Sequence, residues 1–511
     1  MRGVRLVIGV VALTVVVWAC RVLLIESQDG SLLESNSGSE VSLHLYCAAG
    51  LRLPVEDIVA LYHEEFGRVV HVSYAGSGAL ESQLKLAPGD LYLPADWSYI
   101  ERTQAQGVVA ESIPVSDLLP GVVLPVDSEI SIQSLSDLSK PELRLSIGDE
   151  STAIGALTRQ VLNQAGLWDV VSANVAVMKP TVNNVAEDVA MGAVDAGIVW
   201  EVIGSQFDEL EFVSLPELEA NTRRAAIGVL TKSTQPAEAL HFARFLSSRD
   251  RGRVVFEKCG FAVPSNQTTD RWASVPTLTF FCESTLRPVI QSRVREFEER
   301  EGCRVATVFE SPATLVSHIE SGARPSAYFS CDKSFPDSVS AQFHDSETVS
   351  KTDVILLAAK GNPKRIDALA DLGKDGLKVG LGNPDKSAQG GVVANALRRA
   401  GVWELLLNTK SVEVLAEGPE LVSRMLAGEL DTVLVYRSNI LGASEVLTRC
   451  EVIEINDPMA FSSQCYAVAR DTEFPQLARR LGLFLRNGDM MPARFERAGF
   501  EWIQPNGGVG E

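Results

Sequence analysis

The chain has 511 residues, 46% of them hydrophobic and 22% charged, with 66 acidic against 46 basic side chains and a formal net charge of −20. That length exceeds a single hydrophobic core, and the composition is that of an ordinary globular protein rather than a disordered one. The acidic balance, with no long Lys/Arg run, excludes a nucleic-acid partner, because phosphate binding needs a concentrated positive face.

At the N-terminus, Arg2 and Arg5 precede an almost purely apolar run over 6–19, which resumes after Cys20 and Arg21 over 22–25. This run lies between the apolar centre of a secretory signal and the roughly 20-residue span of a membrane helix. Residues 1–25 are therefore expected to be an uncleaved membrane anchor, a cleaved signal, or a signal ending at a lipid-modified Cys20. All three place the rest of the chain outside the cytoplasm, in the periplasm or its equivalent. Residues 26–40, rich in Ser, Gly, Asn and acid, read as a flexible tether.

From residue 41 onward strand and helix patterns alternate. SLHLYC is a short apolar strand, and after Gly50 the positions Val55, Ile58, Val59, Tyr62 and Phe66 recur at helical spacing. VVHVSY is a second strand, broken by Ala75-Gly76-Ser77-Gly78 and followed by the helix ALESQLKL; DLYLPAD is a third strand. LRLSIGDE is a strand, a helix opens around Gly155 and reaches Ala165, and the strand over 175–178, the helix over 182–191 and the strand over 196–200 follow. Such alternation predicts a parallel α/β sheet with ligands at the carboxyl ends of its strands.

The chain then repeats itself. LYCAAGLRLPVEDIVALYHEEFG (45–67) returns as FFCESTLRPVIQSRVREFEEREG (280–302), and Cys47/Cys282, Leu80/Leu315, Gly155/Gly390 and Trp168/Trp403 are each 235 residues apart. Trp200/Tyr436 follow at 236 and Phe261/Phe500 at 239. So steady an offset predicts two tandem domains of about 230 residues rather than a solenoid. The expected boundaries are 41–264 and 277–505, joined by a linker over 265–276.

Catalytic chemistry finds no support. The six histidines are scattered, His63-Glu64-Glu65 lacks the second histidine of a zinc-protease motif, and there is neither a GxSxG elbow nor a P-loop. No enzyme activity, metal or cofactor is expected. Without Cys20 seven cysteines remain, an odd number with no CxxC pair. Cys47 and Cys282 read as buried thiols at strand ends, and a Cys450–Cys465 pairing is left open.

Gly50, Ser77, Gly155 and Val182 each lie at or near a turn into a helix, where the first backbone N–H groups have no intrahelical partner. Several helix starts aimed at one cleft make an anion site without formal positive charge. With YCAAGL, YAGSGALESQL, DLYLPAD, IGDESTAIGALTRQVLNQAGLWD, MGAVDAGIVW and FEKCGF in this order, the chain resembles the molybdate-binding protein of ABC-type importers, a type II periplasmic binding protein. The resemblance covers 41–264 and, more faintly, 277–502. It implies two α/β lobes per domain, joined by crossing strands and closing on a tetrahedral oxyanion.

Position by position, the resemblance implies ligand contacts at Gly50, Ser77, Ile154, Val182 and Trp200 in the first domain. Gly50 lacks the hydroxyl of the family pattern, Ser77 retains it, Ile154 and Val182 offer backbone N–H groups, and Trp200 replaces a tyrosine. In the second domain the matching positions are Thr285, Ser311, Gln389, Gly418 and Tyr436. There Ser311-Pro312-Ala313 replaces Gly-Ser-Gly, and Glu283 and Glu310 stand where the first domain has Ala48 and Ala75, so this copy is expected to have lost or changed its ligand. The function implied is capture of a small oxyanion for an importer, with an ABC permease as partner and the N-terminus as the contact with the membrane. The alternative is a membrane-tethered ligand sensor or interaction scaffold.

Overall fold

A computed structural model of the protein describes residues 42–265, 268–384, 387–408, 412–415, 418–440, 444–488 and 490–504. The anchor, signal or lipidation expected for 1–25 and the tether over 26–40 lie outside the described residues. Among the described residues no helix is long and apolar enough to cross a membrane.

Each half begins in the same way. The apolar strand Ser42–Ala48 runs through a single buried 3-10 turn, Ala49–Leu51, into the helix Arg52–Phe66, which buries Val55, Ile58 and Tyr62. That helix ends at Gly67 in the left-handed region (φ 66°), with the Gly67 N–H donating to the His63 carbonyl. In the second half Thr277–Glu283, Ser284–Leu286 and Arg287–Glu301 repeat the sequence of elements, closed by Gly302 (φ 62°).

The first half forms two lobes, each on a five-stranded sheet. One sheet runs, edge to edge, Val69–Ala75, Ser42–Ala48, Leu91–Leu93, Arg223–Leu230 and Val109–Leu118. The other runs Val175–Lys179, Leu145–Gly148, Ala196–Trp200, Pro120–Pro125 and Leu210–Val213. Both sheets are mixed, which corrects the expectation of a parallel one. Strands entering from helices pair in parallel, but Arg223–Leu230 and Pro120–Pro125 pair antiparallel with their neighbours. The physical reason is that the chain crosses to the second lobe and returns, so these strands run against the rest.

The crossing differs between the halves. Leu119 separates Val109–Leu118 from Pro120–Pro125, whose first residue has no N–H to donate. The second half has Ile355 at the matching position and crosses in one 13-residue strand, Glu347–Ala359, fusing both lobes into a ten-stranded sheet. That strand pairs with Phe461–Val468 up to Asp353 and with Thr432–Tyr436 from Val354.

The halves dock through helices. Pro236–Ser247 packs against Arg287–Glu301, which also packs on Pro475–Arg486. At the centre Glu301, 1% exposed, lies between Arg244 and Arg480, 4% and 6% exposed. Arg480 donates to Glu301 from Nε at 2.7 Å and Nη2 at 3.1 Å, and Arg244 Nη1 stands 3.4 Å from Oε2. Arg300 reaches Glu111 of the first half, Nη2 to Oε2 at 2.8 Å. The segment between the halves is itself held: the buried Asp270 carboxylate accepts from the backbone N–H groups of Gln476 at 2.6 Å and Leu477 at 3.2 Å, capping the helix Pro475–Arg486. Burial pushes the Asp270 carboxyl up to about 6.

Trp272 packs edge-on against His241 and Phe245, with ring centroids 5.0 and 5.2 Å away. His241 is hydrogen-bonded to Tyr62 Oη at 2.8 Å and Ser274 Oγ at 3.1 Å. Burial, then Arg68 and Arg244, push its pKa down to about 3 from 6.5. A depressed pKa means that the unfolded chain takes up a proton first as pH falls through 6.5, so the neutral ring's contribution is complete above pH 6.5 and is lost towards pH 3. The stability difference between the wild type and His241→Gln should therefore shrink on acidification from pH 6.5 to 4, by up to roughly 1 kcal/mol per pH unit after solvent screening. Urea denaturation at several pH values measures it, and a pH-independent difference would count against a neutral buried ring.

The seven described cysteines are free thiols, including Cys450 and Cys465.

Candidate functional site

The first half encloses a cavity between its lobes, and all five positions singled out in that half line it. Gly50 lies in the 3-10 turn after the first strand, Ser77 opens the helix Ser77–Leu84, and Ile154 is the second residue of Ala153–Gln164. Val182 opens Val182–Ala190, and Trp200 ends the strand Ala196–Trp200. The remaining wall is Ala48, Ala49, Ala75, Gly76, Ala95, Thr152, Ala153 and Thr181. No charged side chain is among these residues.

Three helix starts converge here because each strand end turns directly into a helix. Thr152 and Thr181 are N-caps: Thr152 Oγ1 accepts from Gly155 N at 3.0 Å and Thr181 Oγ1 from Asn184 N at 3.3 Å. These two wall residues were missed in the sequence, where a threonine ahead of a helix carries the signal of a cap rather than of a ligand contact. With the caps so engaged, the N–H groups of Ser77, Ala153, Ile154 and Val182 stand in first turns that hold no intrahelical acceptor. Each helix start carries roughly half a positive charge, so the cavity is electropositive without a cation. Gly155 is needed for this geometry, since a Cβ there would collide with the Gly148 and Asp149 carbonyl oxygens; Gly390 meets those of Gly382 and Asn383 in the same way.

Ser77 is buried, and its hydroxyl oxygen accepts from Ala95 N at 3.1 Å, which leaves the hydroxyl proton to donate. The buried indole of Trp200 takes the room beside Gly50: a side chain on Gly50 would begin 3.0 Å from Val182 Cγ1 and 3.6 Å from Trp200 Cδ1. The missing hydroxyl and the enlarged aromatic are thus one exchange of volume. The lobes are closed on each other, with Gly78 N donating to Ser151 O at 2.7 Å across the cleft.

The second half places its five positions differently. The Thr285 hydroxyl donates to the Glu283 carboxylate, and Ser311 Oγ caps its own helix by accepting from Thr314 N at 3.3 Å. Gln389 Nε2 donates to Leu434 O at 3.1 Å. Gly418 opens Gly418–Leu426, where a Cβ would collide with Asn439 Oδ1 and Gln389 Oε1. Tyr436 ends its strand with its hydroxyl buried and, among the described residues, without a hydrogen-bond partner. Gln389 and Gly418 are brought together, whereas the hydroxyls of Thr285 and Ser311 are engaged within their own segments.

A model of the family described as bacterial extracellular solute-binding protein matches residues 43–262 and again 278–501. A provisionally named binding protein of Haemophilus influenzae is 29% identical over 237 residues, 45% of this chain and 94% of that protein. The molybdate-binding protein ModA of Mycobacterium tuberculosis is 26% identical over 200 residues, 38% of this chain and 74% of that protein. Among solved structures, the periplasmic molybdate-binding protein of Azotobacter vinelandii aligns at 18% identity and a TM-score of 0.39, covering 44% of this chain and all of that one.

Proposed function

The chain belongs to the bacterial extracellular solute-binding proteins in both of its halves, and from that premise we propose that its first domain, 41–264, captures a tetrahedral oxyanion of the molybdate or tungstate kind for an ABC-type importer. Proteins of this family act outside the cytoplasm and bind solutes without transforming them. On this reading residues 1–25 hold the protein at the cytoplasmic membrane, and an ABC permease receives the ion.

The observation that carries the reading is the cavity: helix starts and the buried Ser77 hydroxyl converge on a space bare of charged side chains. The space open to the centres of oxygen-sized atoms is about 20 Å³. That is room for a small guest rather than for a bulky solute. Because donors surround the space and no carboxylate lines it, a fully deprotonated dianion is matched. Hydrogenphosphate would bring a proton for which no carboxylate acceptor lines the cavity, a mismatch of about 1–3 kcal/mol.

Ser77 is the decisive side chain. Ser77→Ala removes one hydrogen bond to an anion, roughly 1.5–3 kcal/mol, so affinity should fall about tenfold to a hundredfold. Isothermal titration of the full chain with molybdate, tungstate, sulfate and phosphate measures this. Binding unchanged by Ser77→Ala would displace the site, and no binding of any of the four ions would favour the tethered sensor or scaffold.

A further inference from the structure

The two halves differ at one matched turn beside the crossing between lobes. Gly260 and Gly499 stand immediately ahead of Phe261 and Phe500, and both hold the left-handed region, at φ 84° and 82°. A Cβ on Gly260 would meet nothing within 4 Å among the described residues. On Gly499 it would lie 2.7 Å from Ser438 N and Cα and 2.8 Å from the carbonyl carbon of Arg437. Gly499 belongs to the lobe that begins the second half, between the helix Met491–Arg497 and the strand Glu501–Trp502. Ser438 belongs to the other lobe, in the single 3-10 turn Arg437–Asn439 that follows the strand Thr432–Tyr436. Backbone of one lobe is thus pressed against backbone of the other, and the matched turn of the first half forms no such contact.

The crossing strand Glu347–Ala359 reinforces the contact from its own side chains. Thr352 is 2% exposed; its hydroxyl donates to Gly499 O at 2.8 Å and accepts from Ser438 N at 3.3 Å, so one oxygen holds both lobes. Asp353, the next residue, receives the Arg437 guanidinium on both oxygens, Nε to Oδ1 at 2.9 Å and Nη2 to Oδ2 at 2.7 Å, which anchors the same turn a second time. In the first half the strand reaches its break at Leu118, which has no hydroxyl, and Glu201 follows Trp200 where Arg437 follows Tyr436. The charge that anchors the turn in one half is reversed in the other.

We propose that Thr352, Gly499 and Arg437 form a clasp that holds the lobes of the second domain at a fixed angle and confines opening and closing to the first domain. Rotation of the lobes in one sense draws the Thr352 hydroxyl away from its two partners and strands a buried oxygen. Rotation in the other sense drives Ser438 into Gly499, and packed backbone does not yield to compression. The first half meets neither resistance at its matched turn. The inference concerns the second domain alone and does not depend on which ion the first cleft takes.

The test uses the full chain without ligand. Gly260→Ala and Gly499→Ala force alanine into the same left-handed backbone and differ in what the new methyl meets, so their comparison isolates the clasp from the conformational cost that they share. Gly499→Ala should lower the melting temperature further than Gly260→Ala, by at least about 2 °C. Thr352→Val keeps the shape of the side chain and removes both hydrogen bonds, and serves where Gly499→Ala folds poorly. Followed by hydrogen exchange, it should speed exchange over 436–440 about tenfold and leave 200–204 unchanged. In the unsubstituted chain 436–440 should exchange more slowly than 200–204. Equal losses from the two alanine variants, exchange over 436–440 indifferent to Thr352→Val, or exchange there as fast as over 200–204 would each overturn the proposal.

Discussion

Replacing Glu301 by alanine should destabilise the protein by about 3–5 kcal/mol, the range for removing one partner of a buried ion pair. Glu301 forms an ion pair with both Arg244 and Arg480, and its loss leaves two guanidinium groups in the docked interface without that partner. The triad is not a large net stabiliser: Arg244 Nε and Nη2 and Arg480 Nη1 are buried without hydrogen-bond partners among the described residues. Its cost appears on breaking it, which is why replacing all three residues by well-packed apolar side chains should recover most of the loss. Urea denaturation of the single and triple variants measures both effects. A change below about 1 kcal/mol for Glu301→Ala would mean that water reaches the interface and screens the pair.

Gly76→Val should weaken oxyanion capture about tenfold to a hundredfold while leaving the unligated fold nearly as stable. The backbone at Gly76 (φ −65°, ψ 146°) is open to any residue, so conformation is not what calls for glycine. A Cβ would lie 2.8 Å from Ser151 O and 3.1 Å from Pro180 O, both on the opposite lobe, so overlap arises only when the cleft closes. Overlap of this kind costs about 1–3 kcal/mol. Titration should show the weakened affinity, and small-angle scattering should show a more open ligated state. Unchanged affinity would mean that capture does not require the closed arrangement.

Much of this could be read in the chain before its structure. Cys47/Cys282 and Gly155/Gly390 repeat at one offset because strand-to-helix turns are encoded locally, and Gly155 has no freedom to vary against the Gly148 and Asp149 carbonyls. The first cleft was legible for the same reason: Gly50, Ser77, Ile154, Val182 and Trp200 each sit at such a turn and come to one cavity. The docking of the halves was not legible. Arg244, Glu301 and Arg480 lie 57 and 179 residues apart along the chain, on helices whose charged residues look like solvated faces until the partner helix is in place. The sense of the sheet was misjudged because alternation of strand and helix does not reveal that the chain changes lobe and returns. In the second half the carboxylates were visible as letters, but the engagement of Thr285 with Glu283 emerges only in three dimensions.

Pro120 gives the two halves different mechanics. In the first, the strand breaks at Leu119 where one lobe hands over to the other, with pairing up to Leu118 on one side and from Pro120 on the other. In the second, the uninterrupted strand Glu347–Ala359 carries hydrogen-bonded partners on both sides of the handover, and the two lobes share one girder. The joint of the first domain should therefore bend more readily than that of the second, a difference that hydrogen exchange at the two crossings would measure.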